Sequence, residues 1–299
     1  MTNIYQKYMN PLTINSIDNL FLRAKLVVEG FIIGMHKSPY HGFSVEFSEH
    51  RPYGFGDEIK FIDWKLWGKT DRFYIKQFEE ETNLKCHLII DKSASMGYGS
   101  GSLTKFDYTK SLAASLIYLM IKQQDAVGLT TFDDKLDISI LPKAKSSQLN
   151  LLLKTMHNAK TGGETNISNL LHSIAERITK RGLIILISDL LDNEEDIIKG
   201  LRHFRHKGHE VIIFHIIDPK EKNLDFGENV NFIDIENNEK IMVDSRQIKK
   251  SYTASFAKFC NYYKERCLQN NIDYTQLVTT DPLYKSLTQY LVKRMQIAK

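Results

Sequence analysis

The sequence predicts an α/β fold: a doubly wound, mostly parallel sheet with one antiparallel edge strand, plus an N-terminal extension. Three observations predict it. "LKCHLIID", "GLIILISD" and "HEVIIFHIID" are near-continuous apolar runs, as expected of parallel strands covered on both faces. Amphipathic helical patterns near 104–123, 146–158, 167–180 and 194–207 lie among the strands. "AVGLTTF" and "KLDISIL" are joined at Asp133-Asp134, which reads as a two-residue hairpin loop and sets one antiparallel strand at an edge.

Taken in order, apolar residues recur at helical spacing from about Ile17 to Gly34. Residues 42–72, "GFSVEFSEHRPYGFGDEIKFIDWKLWGKTDR", follow neither period. They read as an ordered, loop-dominated segment rather than a linker, because both tryptophans, Trp64 and Trp67, fall inside it. "FYIKQFEEE" alternates like a strand exposed on one face. Beyond the strand–helix alternation, the tail offers a helix over 247–270, a strand "IDYTQLV" and a last helix from Pro282. With no repeat or Pro/Gly/Ser linker, the division expected is an extension over 1–83 and one domain over 84–299.

A chain of 299 residues with 42% hydrophobic and 25% charged residues is an ordinary globular composition. The net charge of +4 comes without a dense Lys/Arg block, so no nucleic-acid partner is expected. The N-terminus lacks a basic region leading into an apolar one. "LVVEGFIIGM" is short and carries Glu29, so no membrane span is expected. Cys86, Cys260 and Cys267 lack C-x-x-C spacing, and the last two share one face of a helix as buried thiols. A reduced, cytoplasmic protein is the simplest expectation.

Three apolar strands end in aspartates: Asp91, Asp189 and Asp218. In an open parallel sheet that edge is where ligands bind. The first is followed by Ser93 and Ser95, three oxygen-bearing side chains at alternate positions. An aspartyl phosphatase would need a second acid two residues on, where Ser93 stands. A Walker loop would need a glycine directly before Lys105, and it has none. No histidine is placed for a Ser-His-Asp triad. A hard divalent cation suits these oxygens, with two more from neighbouring loops: Thr165 after the glycine pair of "TGGETNISNLL", and Asp189.

At these residues the chain resembles the von Willebrand factor type A domain with its metal-ion-dependent adhesion site. That family uses D-x-S-x-S, then a threonine in a Gly-rich turn, then an aspartate ending the next strand. Asp91, Ser93, Ser95, Thr165 and Asp189 stand in that order. The resemblance implies a Mg²⁺ (or Mn²⁺) site, with the serines bound directly and the others directly or through water. "HRPYGFGDEIKFIDWKLWGKTDRFYIKQFEEE", "KFDYTKSLAASLIYLMIKQQDAVGLTTF", "HIIDP" and "IDYTQLVTTDPLYKSLTQYLVKR" further resemble the bacterial domain-of-unknown-function family fifty-eight, DUF58. That resemblance implies a partnership with a MoxR-type AAA+ ATPase or its client.

The function expected is a non-enzymatic, metal-dependent protein–protein interaction module, a partner carboxylate completing the metal shell. The alternative is a Mg-dependent phosphohydrolase using the same site. His203 and His206 read as surface residues on the last turn of a helix and His209 as the opening of a strand, rather than as ligands. Asp218, before Pro219, reads as a turn former outside the site. Trp64 and Trp67 read as packing residues, and Arg51, Asp57, Asp63 and Lys65 as an ion-pair cluster fixing their loop.

Overall fold

A long buried strand alternates its side chains between two faces, and each face needs a helical cover. Both covers are present in the computed structural model, which describes residues 11–36, 50–52, 54, 68, 74–76, 84–163, 167–227, 230–233 and 240–297. Most of the 42–72 segment, with Trp64, Trp67, Asp57, Asp63 and Lys65, lies outside the described residues, as does Thr165.

The central sheet contains β3 (Lys85–Asp91), β4 (Ala126–Phe132), β5 (Leu136–Lys143), β6 (Leu183–Ser188), β7 (Glu210–Ile217) and β10 (Asp273–Val278), in the order β10-β7-β6-β3-β4-β5. Every pairing is parallel except that of β4 with β5. The expected antiparallel edge is therefore present. Its loop is longer than expected, running over residues 133–135 instead of Asp133-Asp134. Phe132 pairs with Leu136 across a register shift, and the Asp133 N–H donates to the Lys135 carbonyl at 3.1 Å, closing a three-residue turn.

On one face lie α1 (Pro11–Asn15), α2 (Leu20–His36), α3 (Lys105–Lys122), α4 (Ser146–Asn158) and α9 (Tyr284–Ile297), packed on Cys86, Leu88 and Ile90 of β3. Leu20, Ala24, Val27, Val28 and Phe31 bring the N-terminal helix into this core at helical spacing. On the other face, α5 (Ile167–Arg177), α6 (Glu194–His206) and α8 (Ser245–Gln269) pack on Ile89, Ile184, Leu186, Val211 and Ile213. The sequence reading did not include α1, α7 (Pro219–Asn223), the short strand His50–Pro52 inside the 42–72 segment, or the hairpin of β8 (Val230–Ile233) with β9 (Lys240–Val243). A further antiparallel pair joins β1 (His50–Pro52) to β2 (Tyr74–Lys76). Among the described residues, no helix is long and apolar enough to cross a membrane.

Candidate functional site

The chain leaves β3 for β4 on one side and returns through β6 on the other, so strand order reverses between β3 and β6. Loops diverge at such a point and open a crevice beyond the carboxyl ends of the two strands. Asp91 ends β3, and Asp189 follows the last residue of β6. Register does the rest, because Ile90 pairs with Ile187 and brings the two strand ends level.

Asp91 is fully buried. Its Oδ1 accepts the Ser93 N–H at 2.9 Å and its Oδ2 accepts the Ser188 hydroxyl at 2.6 Å. The Ser93 and Ser95 hydroxyls are 3.0 Å apart, and Ser95 is close enough to Asp189 to help hold its carboxyl below the ordinary value. Asp91, Ser93, Ser95 and Asp189 thus form one cluster.

Local structure fixes the loop that carries them. After Asp91 the chain makes a tight helical turn over Ala94–Gly97. The Lys92 N–H donates to the Phe132 carbonyl at 2.8 Å, and the Lys92 side chain pairs with Asp133. The Gly162 N–H donates to the Lys92 carbonyl at 3.0 Å, and the Ala94 N–H to the Gly163 carbonyl at 3.2 Å. Gly163 has φ +77°, and a Cβ there would sit 3.1 Å from Asp133. The 162–163 turn is therefore anchored to the serine loop; Thr165, two residues on, lies outside the described residues.

Electrostatics separate the two aspartates. Burial, then the neighbouring Asp189, pushes the Asp91 carboxyl up to about 7. Burial is the largest influence on Asp189 and pushes it the same way, but the Lys105 ammonium, Ser95 and the Leu191 N–H together hold it below its ordinary value. Lys105 is itself fully buried. Its Nζ donates to Asp189 Oδ2 at 2.8 Å and to Glu221 Oε1 at 2.6 Å, and lies 5.8 Å from the Tyr98 ring centroid.

Asp218 stands at the rim, as N-cap of α7 rather than in the cluster. Its Oδ1 accepts the Lys220 N–H at 2.8 Å and its Oδ2 the Ser100 N–H at 2.9 Å, while Glu221 Oε2 accepts the Asp218 N–H at 3.0 Å. The histidines of 203–209 stand apart: His203 pairs with Glu176 at 3.0 Å, and buried His209 precedes β7.

Sequence reasoning missed Lys105, Ser188, Glu221 and His215, whose ring bonds the Tyr274 hydroxyl and lies near Asp189. Lys105 left one signal. It is the first residue of α3, directly after the Thr104 of a capping box, where the helix dipole disfavours a cation. A lysine there needs an acidic neighbour from elsewhere in the fold.

The donors available are two carboxylates and two hydroxyls, all hard oxygens, so the cluster fits a hard dication of the Mg²⁺ kind. Asp91 and Asp189 as a buried like-charge pair fit it as well, since a cation between them relieves the repulsion.

A family model described as "Protein of unknown function DUF58" matches residues 49–259. "Uncharacterized protein Rv1480" of Mycobacterium tuberculosis (strain ATCC 25618 / H37Rv) is 24% identical over 225 residues, spanning 74% of this chain and 70% of its own length. Among solved structures the chain is similar to BatB from Bacteroides thetaiotaomicron, with TM-score 0.47, 14% identity, and coverage of 71% of this chain and 99% of that one. An aerotolerance-related membrane protein from Bacteroides fragilis gives TM-score 0.46, 16% identity, and coverage of 70% and 99%. The SpRpn10 VWA domain gives TM-score 0.41, 15% identity, and coverage of 69% and 95%. With the family model spanning well over half of it, the chain belongs to the family of proteins of unknown function DUF58.

Proposed function

We propose that the chain is a non-enzymatic protein–protein interaction module whose contact depends on a divalent metal, Mg²⁺ or Mn²⁺. The observation that carries this is the convergence of Asp91, Ser93, Ser95 and Asp189 at the switch point of the sheet. These four, with Thr165, would hold the ion. Two carboxylates balance its charge, neutral hydroxyls fill further positions, and a carboxylate from the partner completes the shell. The ion supplies a hard electrophilic centre that a partner acid can bind. The partner proposed is a MoxR-type AAA+ ATPase or its client, on the family resemblance. Three buried, unpaired cysteines support a reducing, cytoplasmic setting.

A binding role is favoured over phosphate hydrolysis by the surroundings of the cluster. His215 is an imidazole beside Asp189, but it is buried and bonded to Tyr274, and burial holds it down to about 4. Such a ring is a poor proton acceptor for activating water.

The test mixes the protein with its own organism's MoxR-type ATPase, in Mg²⁺ and in chelator, with Asp91→Asn beside wild type. Binding should need Mg²⁺ and fall at least about tenfold in the variant, for loss of one charged ligand of the metal. Equal binding in chelator, by a variant of unchanged circular dichroism, contradicts the metal-dependent contact. Phosphate release from simple esters by the protein alone would favour the enzyme.

A further inference from the structure

A buried cation inside a cluster expected to hold a metal is a conflict to be resolved. Asp189 Oδ2 can face Lys105 Nζ at 2.8 Å, or it can serve a dication that Ser95 also serves, but the two cations then lie within a few ångströms of each other. Like charges at that distance repel strongly wherever water is excluded. Lys105 has no route to solvent, because it is fully buried and its helix is fixed by the Thr104–Asp107 capping box. It does have a second harbour. Glu221 Oε1 takes the same ammonium at 2.6 Å, and Glu221 is held in place because its Oε2 accepts the Asp218 N–H. Asp218 is in turn tied to the Ser100 N–H on the loop that leads into α3.

We propose that Lys105 is the internal counter-cation of this site: it neutralises Asp189 when no dication is bound and is carried by Glu221 when one binds. Lysine and metal compete for Asp189, and the Glu221 carboxylate sets how readily the lysine yields. The inference rests on the metal reading above and adds to it a residue that sets the site's affinity. It also gives the 219–223 helix a purpose, since that helix presents Glu221 to the lysine from 116 residues away in sequence.

The competition makes two substitutions act in opposite directions. Lys105→Met removes the competitor and leaves Asp189 in need of a cation, so Mg²⁺ should bind about tenfold tighter or more. Glu221→Gln removes the harbour, so the lysine stays on Asp189 and Mg²⁺ should bind about tenfold weaker. Residues that were merely structural would weaken binding in both cases. Calorimetric titration of the full chain with MgCl₂ reads this directly, with circular dichroism to establish folding.

Lys105→Met binding no tighter than wild type, in a folded protein, overturns the proposal. Should Lys105→Met fail to fold, Glu221→Gln decides, because the Glu221 side chain is part-exposed and tolerates an isosteric amide. Undiminished Mg²⁺ affinity in Glu221→Gln overturns the proposal and leaves the metal reading standing. No binding by wild type together with binding by Lys105→Met supports the competition in its strongest form. No binding by wild type or either variant overturns both.

Discussion

Each oxygen of Asp91 already has a partner, and the two partners differ in origin. Ser93 lies in the adjoining loop, whereas Ser188 comes from the end of β6, 97 residues away. The Ser188 hydroxyl therefore ties the carboxylate across the switch point. Ser188→Ala leaves that buried oxygen without its donor and should cost about 1–3 kcal/mol. Urea unfolding in chelator measures it, and Mg²⁺ affinity should fall with it because Asp91 loses its orientation.

His87 on β3 makes a separate prediction. Burial, with His209 and Lys85 nearby, lowers its imidazole to about 4. A depressed imidazole contributes its full share of stability above the unfolded value near 6.5 and loses it as pH falls toward 4. His215 shifts the same way. Stability should therefore drop from pH 6.5 to 4, and His87→Leu should remove up to about 3 kcal/mol of that drop. An unchanged acid limb in chemical denaturation would contradict the assignment. At this scale the sequence was informative about Asp91, Ser93, Ser95 and Asp189, because spacing and strand ends are local signals. It did not give the partners of Lys105 and Ser188, which lie 84 and 97 residues away and meet them only once the sheet is formed.

Among the elements, the buried strands were legible as near-continuous apolar runs covered on both faces, and the long helices by one apolar face. The hairpin β8–β9 was not. Its strands are four residues each, and Ile233, Ile241 and Met242 stay exposed, so neither period separates inside from outside. The 133–135 turn was misjudged by one residue because its third member is settled by a bulge in the β4–β5 register, which composition does not reveal. The helix that matters most to the site is α3, since its first residue is Lys105. Its start is set by Thr104, which accepts the Asp107 N–H at 3.0 Å while Asp107 reaches back to Thr104 N. Thr104→Ala should lower stability by about 1 kcal/mol. It should also loosen Lys105 against Asp189, seen as altered Mg²⁺ affinity without change in helical content.

For the molecule as a whole, two hydrophobic clusters on opposite faces of one sheet supply the stability, and the oxygen cluster sits at its rim. A rim site on a preformed edge differs from a small zinc domain, which folds only with its ion. Chelator should therefore leave the far-ultraviolet circular dichroism and the cooperativity of unfolding unchanged, with at most a modest fall in melting temperature. Global unfolding in chelator would mean that the ion is structural.

The central claim is that one hard dication is held by Asp91, Ser93, Ser95 and Asp189, with Thr165. Anomalous diffraction from crystals soaked in Mn²⁺ tests it most directly. The account predicts a single strong peak in contact with the Ser93 and Ser95 hydroxyls, facing the two aspartates, and its loss in Asp91→Asn crystals. Saturating Mn²⁺ with no peak there, or a peak unaffected by Asp91→Asn, would contradict it.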